Sequence, residues 1–269
     1  MEGPLVDLLQ ACIGMALLTW GLSVFTNEVS WVDRVWSILP PAYVGYLAWL
    51  AGWADPRLDL MFALTALWGA RLTFNFWRKG GYAAGGEDYR WAVLRERLGP
   101  AGFQVFNATF ISPYQHLLLL LIALPAYTAW QHQTALGPAD VVLATLFLVF
   151  LAGETIADQQ QWEFHTDKVA RIAAGEVPEK RFRTTGLWAW SRHPNFFCEI
   201  GQWWVIYGFA IAATGRPLNW TIAGAALLTL LFDGSTRFTE SITAGKYPEY
   251  ADYQRTTSRW LPWPPRAGR

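Results

Sequence analysis

Residues 5–25 read LVDLLQACIGMALLTWGLSVF, an apolar run with Asp7 as its sole charge. A helix needs roughly 20 such residues to cross the hydrocarbon core of a bilayer. Six more runs follow at about 35–53, 58–77, 111–130, 139–156, 196–213 and 218–232, the last expected to extend past Asp233. Trp and Tyr sit near many of the ends, as interfacial aromatics do. The pattern predicts an all-α integral membrane protein, a bundle of seven transmembrane helices forming a single domain over residues 1–269.

Composition points the same way. Apolar residues make up 53% of the chain and 17 residues are Trp, while 16% are charged. An average soluble domain has roughly 25% charged residues. Such a chain is too apolar to be disordered. The 21 basic and 21 acidic residues cancel, so charge gives no reason to expect a nucleic-acid partner. Cys12 and Cys198 both lie in apolar runs, which excludes a disulfide scaffold or a cysteine zinc site. His116, His132, His165 and His193 show no metal-ligand spacing, so no metal site is expected.

Charge predicts the topology. With seven spans, one side holds the N-terminus and residues 54–57, 131–138 and 214–217, with Arg57 and Arg216 as its basic residues. The other side holds Arg34, Arg78, Lys79, Arg90, Arg95, Arg97, Lys168, Arg171, Lys180, Arg181, Arg183, Arg192 and all six basic residues after Arg216. The positive-inside rule puts that side in the cytoplasm, with the N-terminus outside and the C-terminus inside. The start of the chain does not read as a cleaved signal peptide, because no basic residue precedes Arg34. Two long loops, about 79–103 and 157–195, and the tail are all expected on the cytoplasmic side, where function is expected to sit.

Ionisable residues at membrane depth are functional candidates by default. Arg71, Asn75 and Arg78 recur at helical spacing on the third span, a basic stripe suited to an anionic ligand. The plainer alternative has Arg78 reaching the interface and Arg71 paired with an acid. Glu154 and Asp158 share a face of the fifth span that Trp162 and His165 continue; they pair with arginines or accept hydrogen bonds from a bound group. The sixth span opens with Ser191-Arg192-His193-Pro194-Asn195-Phe196-Phe197-Cys198-Glu199. Pro194 suits a first helical turn. Asn195 and Glu199 then share a face, and an amide with a carboxylate brackets a carboxamide or a ribose. Alternatively, Asn195 caps the helix and Glu199 pairs with Arg71 or Arg192. Asp33, ahead of the second span, and Glu240, after the seventh, are further acids. The tail from Tyr247 to Pro262 carries basic and hydroxyl residues suited to phosphate or to lipid headgroups. No P-loop or dinucleotide fingerprint is present.

Residues 186–199, Gly-Leu-Trp-Ala-Trp-Ser-Arg-His-Pro-Asn-Phe-Phe-Cys-Glu, resemble the signature of the steroid 5-alpha-reductase C-terminal superfamily, and more closely its bacterial branch, DUF1295. Val32-Asp33 followed by Trp36, Trp68 with Arg71, Glu87-Asp88-Tyr89-Arg90, Ala157-Asp158-Gln159 and the tail from Tyr250 to Pro262 are similar to that branch as well. The resemblance covers about residues 31–263. It implies NADPH held on the cytoplasmic side and hydride transfer to the double bond of an enone. It assigns cofactor contacts to Asn195 and Glu199, to Asp158 and Glu154, and to Arg71, Arg181 and Tyr253. Arg192, His193, His165, Glu240, Asn75, Arg78 and Arg259 complete the expected cofactor-binding set, and Arg78, Arg181, Arg183 and Arg259 are the candidates for a 2′-phosphate. The steroid reductases carry a Gln-Glu pair on the second span and a tyrosine on the third. Here residues 31–36 hold Asp33 instead, and the tyrosine position falls on or near Trp68. Asp33 and Trp68 therefore stand as the catalytic candidates, Asp33 as a proton donor if desolvation keeps it protonated.

The expected function is NADPH-dependent reduction of a carbon–carbon double bond in a hydrophobic substrate, steroid-like or isoprenoid, in a bacterial inner membrane. Membrane lipids are expected neighbours, and no obligate protein partner is evident. A membrane methyltransferase using S-adenosylmethionine is the main alternative, because Arg192-His193-Pro194 fits the Arg-His-Pro motif of the isoprenylcysteine and phospholipid enzymes. A non-enzymatic lipid-binding protein is the second.

Overall fold

A computed structural model of the chain describes residues 3–178 and 181–265; Lys180, Arg266 and Arg269, counted above for topology, lie outside the described residues. Every regular element among the described residues is helical. In chain order they are α1 (Gly3–Thr26), α2 (Trp31–Trp36), α3 (Leu39–Leu50), α4 (Pro56–Arg78), α5 (Tyr89–Phe106), a π turn (Asn107–Ile111), α6 (Ser112–Ala123), α7 (Pro125–Gln131), α8 (Pro138–Ala173), a 3-10 turn (Gly186–Ala189), α9 (Pro194–Thr214), α10 (Ile222–Lys246) and α11 (Tyr250–Thr256).

Four helical stretches among the described residues are long and apolar enough to cross a membrane: Gly3–Thr26, the nearly continuous Tyr89–Gln131, Pro138–Ala173 and Pro194–Thr214. The other expected spans take different forms. The second is broken: α2 ends at Trp36, and α3 restarts at Leu39 with Pro40 in its first turn. Its 12 residues cover roughly 18 Å at 1.5 Å per residue. α4 is 23 residues long but carries Arg57, Asp59, Arg71 and Arg78. α10 runs 25 residues and turns polar after Phe232. The fourth span merges with the loop before it, because α5 bends at Gly99 (φ 67°) and Pro100 and then continues into the π turn and α6. α8, at 36 residues, is roughly 54 Å long and outruns a bilayer core of about 30 Å. Its polar end is therefore the beginning of the expected cytoplasmic loop, folded as helix.

The chain divides into two compact units. Unit 1 comprises Met1–Thr145 and Trp203–Leu228; unit 2 comprises Leu146–Gln202 and Thr229–Arg269. In unit 1, α1 packs on α6, and α3 packs on both α4 and α6. Asp55 caps α4 by accepting from the Arg57 and Leu58 N–H groups at 2.9 and 3.2 Å. Arg57 also forks onto Asp140 at 2.7 and 2.8 Å, both side chains 3% exposed. That buried pair ties the start of α4 to the start of α8. Val29, Val32, Phe103 and Ile111 form a small core under Trp91, Leu94 and Phe106.

Unit 2 is built on a close crossing of α8 and α9. A Cβ on Gly153 would lie 2.9 Å from Cys198 Sγ, and one on Gly201 would lie 2.7 Å from the Phe150 ring. Real Cβ atoms do not approach so closely, so each helix presents a glycine where the other presses in. This contact decides which polar side chains of the two helices meet.

Candidate functional site

The α8–α9 crossing brings together four of the polar residues that the helical spacing singled out. Glu154 and Asp158 on α8 are 2% and 6% exposed, and Glu199 on α9 is 8% exposed. Asn195, in the first turn of α9, donates from Nδ2 to Asp158 Oδ1 at 3.3 Å. Its amide therefore faces α8 rather than capping its own helix.

One residue that the spacing argument passed over completes the cluster. Gln202 is wholly buried and donates from Nε2 to Glu154 Oε2 at 2.7 Å and to the Cys198 carbonyl at 3.3 Å. It stands seven residues beyond Asn195, on the same helix face. That i, i+7 relation was available as a signal, but a lone glutamine in an apolar helix carries no charge to mark it.

Carboxylates only accept hydrogen bonds, so each amide must turn its NH2 toward the acid and its oxygen away. The two oxygens so displaced, Asn195 Oδ1 and Gln202 Oε1, are buried and accept no hydrogen bond. A buried acceptor left unsatisfied costs about 1–3 kcal/mol. The site is therefore a wall of three acids with two amide oxygens set for donors that the described residues do not supply.

A second group of candidates performs a different task. Arg192 donates to Glu240 from Nε at 2.7 Å and from Nη2 at 3.1 Å. Its Nη1 donates to the carbonyls of Gln254, at 3.0 Å, and of Thr257. His193 Nε2 lies 3.0 Å from Glu240 Oε1, and Gln254 Nε2 donates to Glu240 Oε2 at 2.9 Å. Burial raises the Glu240 pKa, but the bonds from His193, Arg192 and Gln254 outweigh it and bring it down to about 2.

The backbone repeats the link. The N–H groups of Arg192 and His193 donate to the Ser258 and Arg259 carbonyls at 2.8 and 3.0 Å, and Trp263 N–H donates to the Trp190 carbonyl at 3.0 Å. The Tyr253 hydroxyl donates to the Trp188 carbonyl, and burial raises its pKa. Arg259 pairs with Asp233. Arg192, His193, Glu240, Tyr253 and Arg259 thus fasten the tail to the loop ahead of α9.

The remaining candidates are dispersed. His165 is exposed, although it continues the Glu154–Asp158 stripe in sequence. Arg181 lends its carbonyl to Lys168 Nζ at 2.6 Å, and Arg183 donates to the Gln160 carbonyl at 2.5 Å. In unit 1, Arg78 Nε donates to Asn75 Oδ1 at 2.9 Å, and Arg71 lies on the same helix. Trp68 is fully buried against Trp203. Asp33 accepts from Trp91 Nε1 at 3.1 Å. Burial raises the Asp33 pKa, partly offset by the Trp91 bond. Among the described residues no three of His, Cys, Asp and Glu are grouped to hold a metal ion.

A protein of Schizosaccharomyces pombe described as uncharacterized is 39% identical over 258 residues, covering 90% of this chain and 75% of its own. No solved structure gives a significant match. The model of the family described as "Protein of unknown function (DUF1295)" matches residues 19–257, and the chain belongs to that family.

Proposed function

We propose that the chain is a membrane-embedded reductase that uses NADPH to reduce a carbon–carbon double bond in a hydrophobic substrate. The observation that carries this reading is the pair of buried amide oxygens, Asn195 Oδ1 and Gln202 Oε1, each backed by a carboxylate. They call for a ligand that brings N–H or O–H donors to membrane depth. The carboxamide and ribose of a nicotinamide nucleotide carry such donors, so the residues fit the group. Asn195, Glu199, Asp158, Glu154 and Gln202 would hold it. When bound, a reduced nicotinamide supplies the hydride, and the protein binds and orients.

The steroid-reductase affiliation rests on the resemblance of residues 186–199. The methyltransferase reading places its ligand at Arg192 and His193. Both side chains are committed to Glu240, so neither the methyltransferase ligand nor the nicotinamide nucleotide is placed on them. Seven spans, an outside N-terminus and a cytoplasmic C-terminus are supported by the distribution of basic residues. A bacterial inner membrane is the proposed location, on the resemblance alone; a relative at 39% identity belongs to a fungus.

The test is ligand-dependent thermal stability of the protein in mild detergent, with NADPH, NADH and S-adenosylmethionine. A ligand at 100 times its Kd stabilises by about 2.7 kcal/mol. Stabilisation by NADPH that is lost in Asn195→Ala and Glu199→Ala is the expected result. Stabilisation by S-adenosylmethionine instead overturns the reductase, and no response to any of the three favours a non-enzymatic lipid-binding role.

A further inference from the structure

The tail carries a helix face that the α8–α9 cluster does not use. Glu249, Asp252, Tyr253, Thr256 and Thr257 stand at i, i+3, i+4, i+7 and i+8 along α11 and its flanks, so they share one face. All five line a cleft of about 420 Å³ in unit 2. Small-molecule sites span roughly 300–1,000 Å³. Phe182, Ala189 and Pro265 supply apolar walls. Neither the acids nor the amides of the α8–α9 cluster line it.

The lining decides the sign of the charge that the cleft accepts. Two of its residues are acids and none is basic. The nearby arginines of the tail turn elsewhere, Arg259 to Asp233 and Arg255 to Asp252 Oδ1. Acids at the start of a helix also suit its dipole, which accounts for Glu249 and Asp252 but not for the far end of the face. There Thr257 is 6% exposed. Its N–H donates to the Tyr253 carbonyl at 3.0 Å, and its carbonyl accepts from Arg192. Its hydroxyl bonds to no described residue and lines the cleft. The Thr256 hydroxyl donates to the Asp252 carbonyl at 3.0 Å, which leaves its lone pairs to accept. The Phe182 and Tyr253 rings lie nearly parallel, with centroids 5.6 Å apart and planes at 25°. Tyr253 has spent its hydroxyl on the Trp188 carbonyl, so it offers the cleft ring surface alone.

We propose that this cleft binds a primary amine, as its ammonium ion, on a small apolar body. An ammonium brings three N–H donors and no acceptor. The carboxylates of Glu249 and Asp252 and the hydroxyls of Thr256 and Thr257 all accept, so the two sets match. Its charge is attracted by the aromatic faces as well as by the acids, and its apolar body covers Phe182 and Pro265. A phosphate or carboxylate in the same place meets two acids and no cation. The ammonium belongs to a free amine or to the ethanolamine headgroup of a phospholipid; the recognised chemistry is the same. The inference does not rest on the reductase reading, and it gives unit 2 a second ligand apart from the nucleotide.

The test is calorimetric titration of the full-length protein, in mild detergent at neutral pH, with 2-phenylethylamine, 2-phenylethanol and 3-phenylpropionate. The three share an apolar body and differ in charge. The amine is expected to bind roughly tenfold tighter, or more, than either of the others. With Glu249→Gln and Asp252→Asn combined, its affinity falls to that of the alcohol. In Thr257→Val it weakens about threefold, as for loss of one neutral hydrogen bond. Unchanged thermal midpoints show that these variants fold. A second measurement needs no variant: saturating NADPH is expected to leave the amine's affinity unchanged. Repeating the titration in phosphatidylcholine nanodiscs, with and without phosphatidylethanolamine, separates the sources. Both outcomes support the site: weaker amine binding beside phosphatidylethanolamine names the headgroup, and equal binding names a free amine. No binding of the amine, equal binding of amine and alcohol, a preference that survives the combined substitution, or displacement by NADPH overturns the proposal.

Discussion

Arg192 and Glu240, 48 residues apart in sequence, meet at 2.7 Å between Nε and Oε1, and both side chains are about nine-tenths buried. The pair joins the loop before α9 to the far end of α10, and Gln254 brings α11 into the same contact. Breaking a buried pair from one side leaves the other charge uncompensated, at about 3–5 kcal/mol. Arg192→Ala is therefore expected to release the tail, seen as faster tryptic cleavage at Lys246 and Arg255. Arg192→Lys should recover little, because one ammonium cannot span Glu240 and two carbonyls as the guanidinium does. Equal cleavage rates for native and Arg192→Ala protein would remove the pair from this role.

Glu240 also sets an acid limit on stability. Its pKa is depressed from 4.5 to about 2 in the folded chain. A depressed carboxylate contributes stability above its unfolded pKa and loses it as the pH falls toward the folded value. The contribution is about 3 kcal/mol at neutral pH, at roughly 1.36 kcal/mol per unit. Thermal midpoints should decline between about pH 4.5 and 2. Glu240→Gln should start lower at pH 7 and lose this part of the decline.

Gln202→Leu removes the buried amide oxygen together with the donor to Glu154. Loss of one ligand hydrogen bond of about 1.4 kcal/mol weakens binding tenfold. NADPH affinity is expected to fall by about that factor, measured by titration. Unchanged affinity with an intact fold would take Gln202 out of the site.

Asp33→Asn keeps an oxygen to accept from Trp91, so stability should change by less than about 1 kcal/mol. If Asp33 supplies the proton, turnover of an enone falls at least 100-fold in this variant. Turnover within threefold of native excludes it.

The candidate site was legible in sequence as far as single helices go. Glu154 with Asp158, and Asn195 with Glu199, were found because a 3.6-residue period puts positions four apart on one face. The same rule failed at His165: it shares that face, but it is exposed, on the stretch of α8 that outruns the apolar span. It also gave no warning that Arg192, His193, Glu240 and Tyr253 would face one another or the tail. Partners 47 to 65 residues apart are chosen by tertiary packing, which periodicity does not encode.

By itself, the sequence determined that the chain is helical, with runs long and apolar enough to cross a membrane, because such a run satisfies its backbone hydrogen bonds internally as a helix and matches the roughly 20 residues a bilayer core requires. It also determined which acids and amides share a helix face. Only the tertiary structure decided which of those faces meet. Gly153 and Gly201 let α8 and α9 approach closely enough for Asp158 to reach Asn195 and for Glu154 to reach Gln202. The unmatched amide oxygens exist because of that approach, since a hydrogen-bond deficit belongs to a packed pair of helices and to neither helix alone.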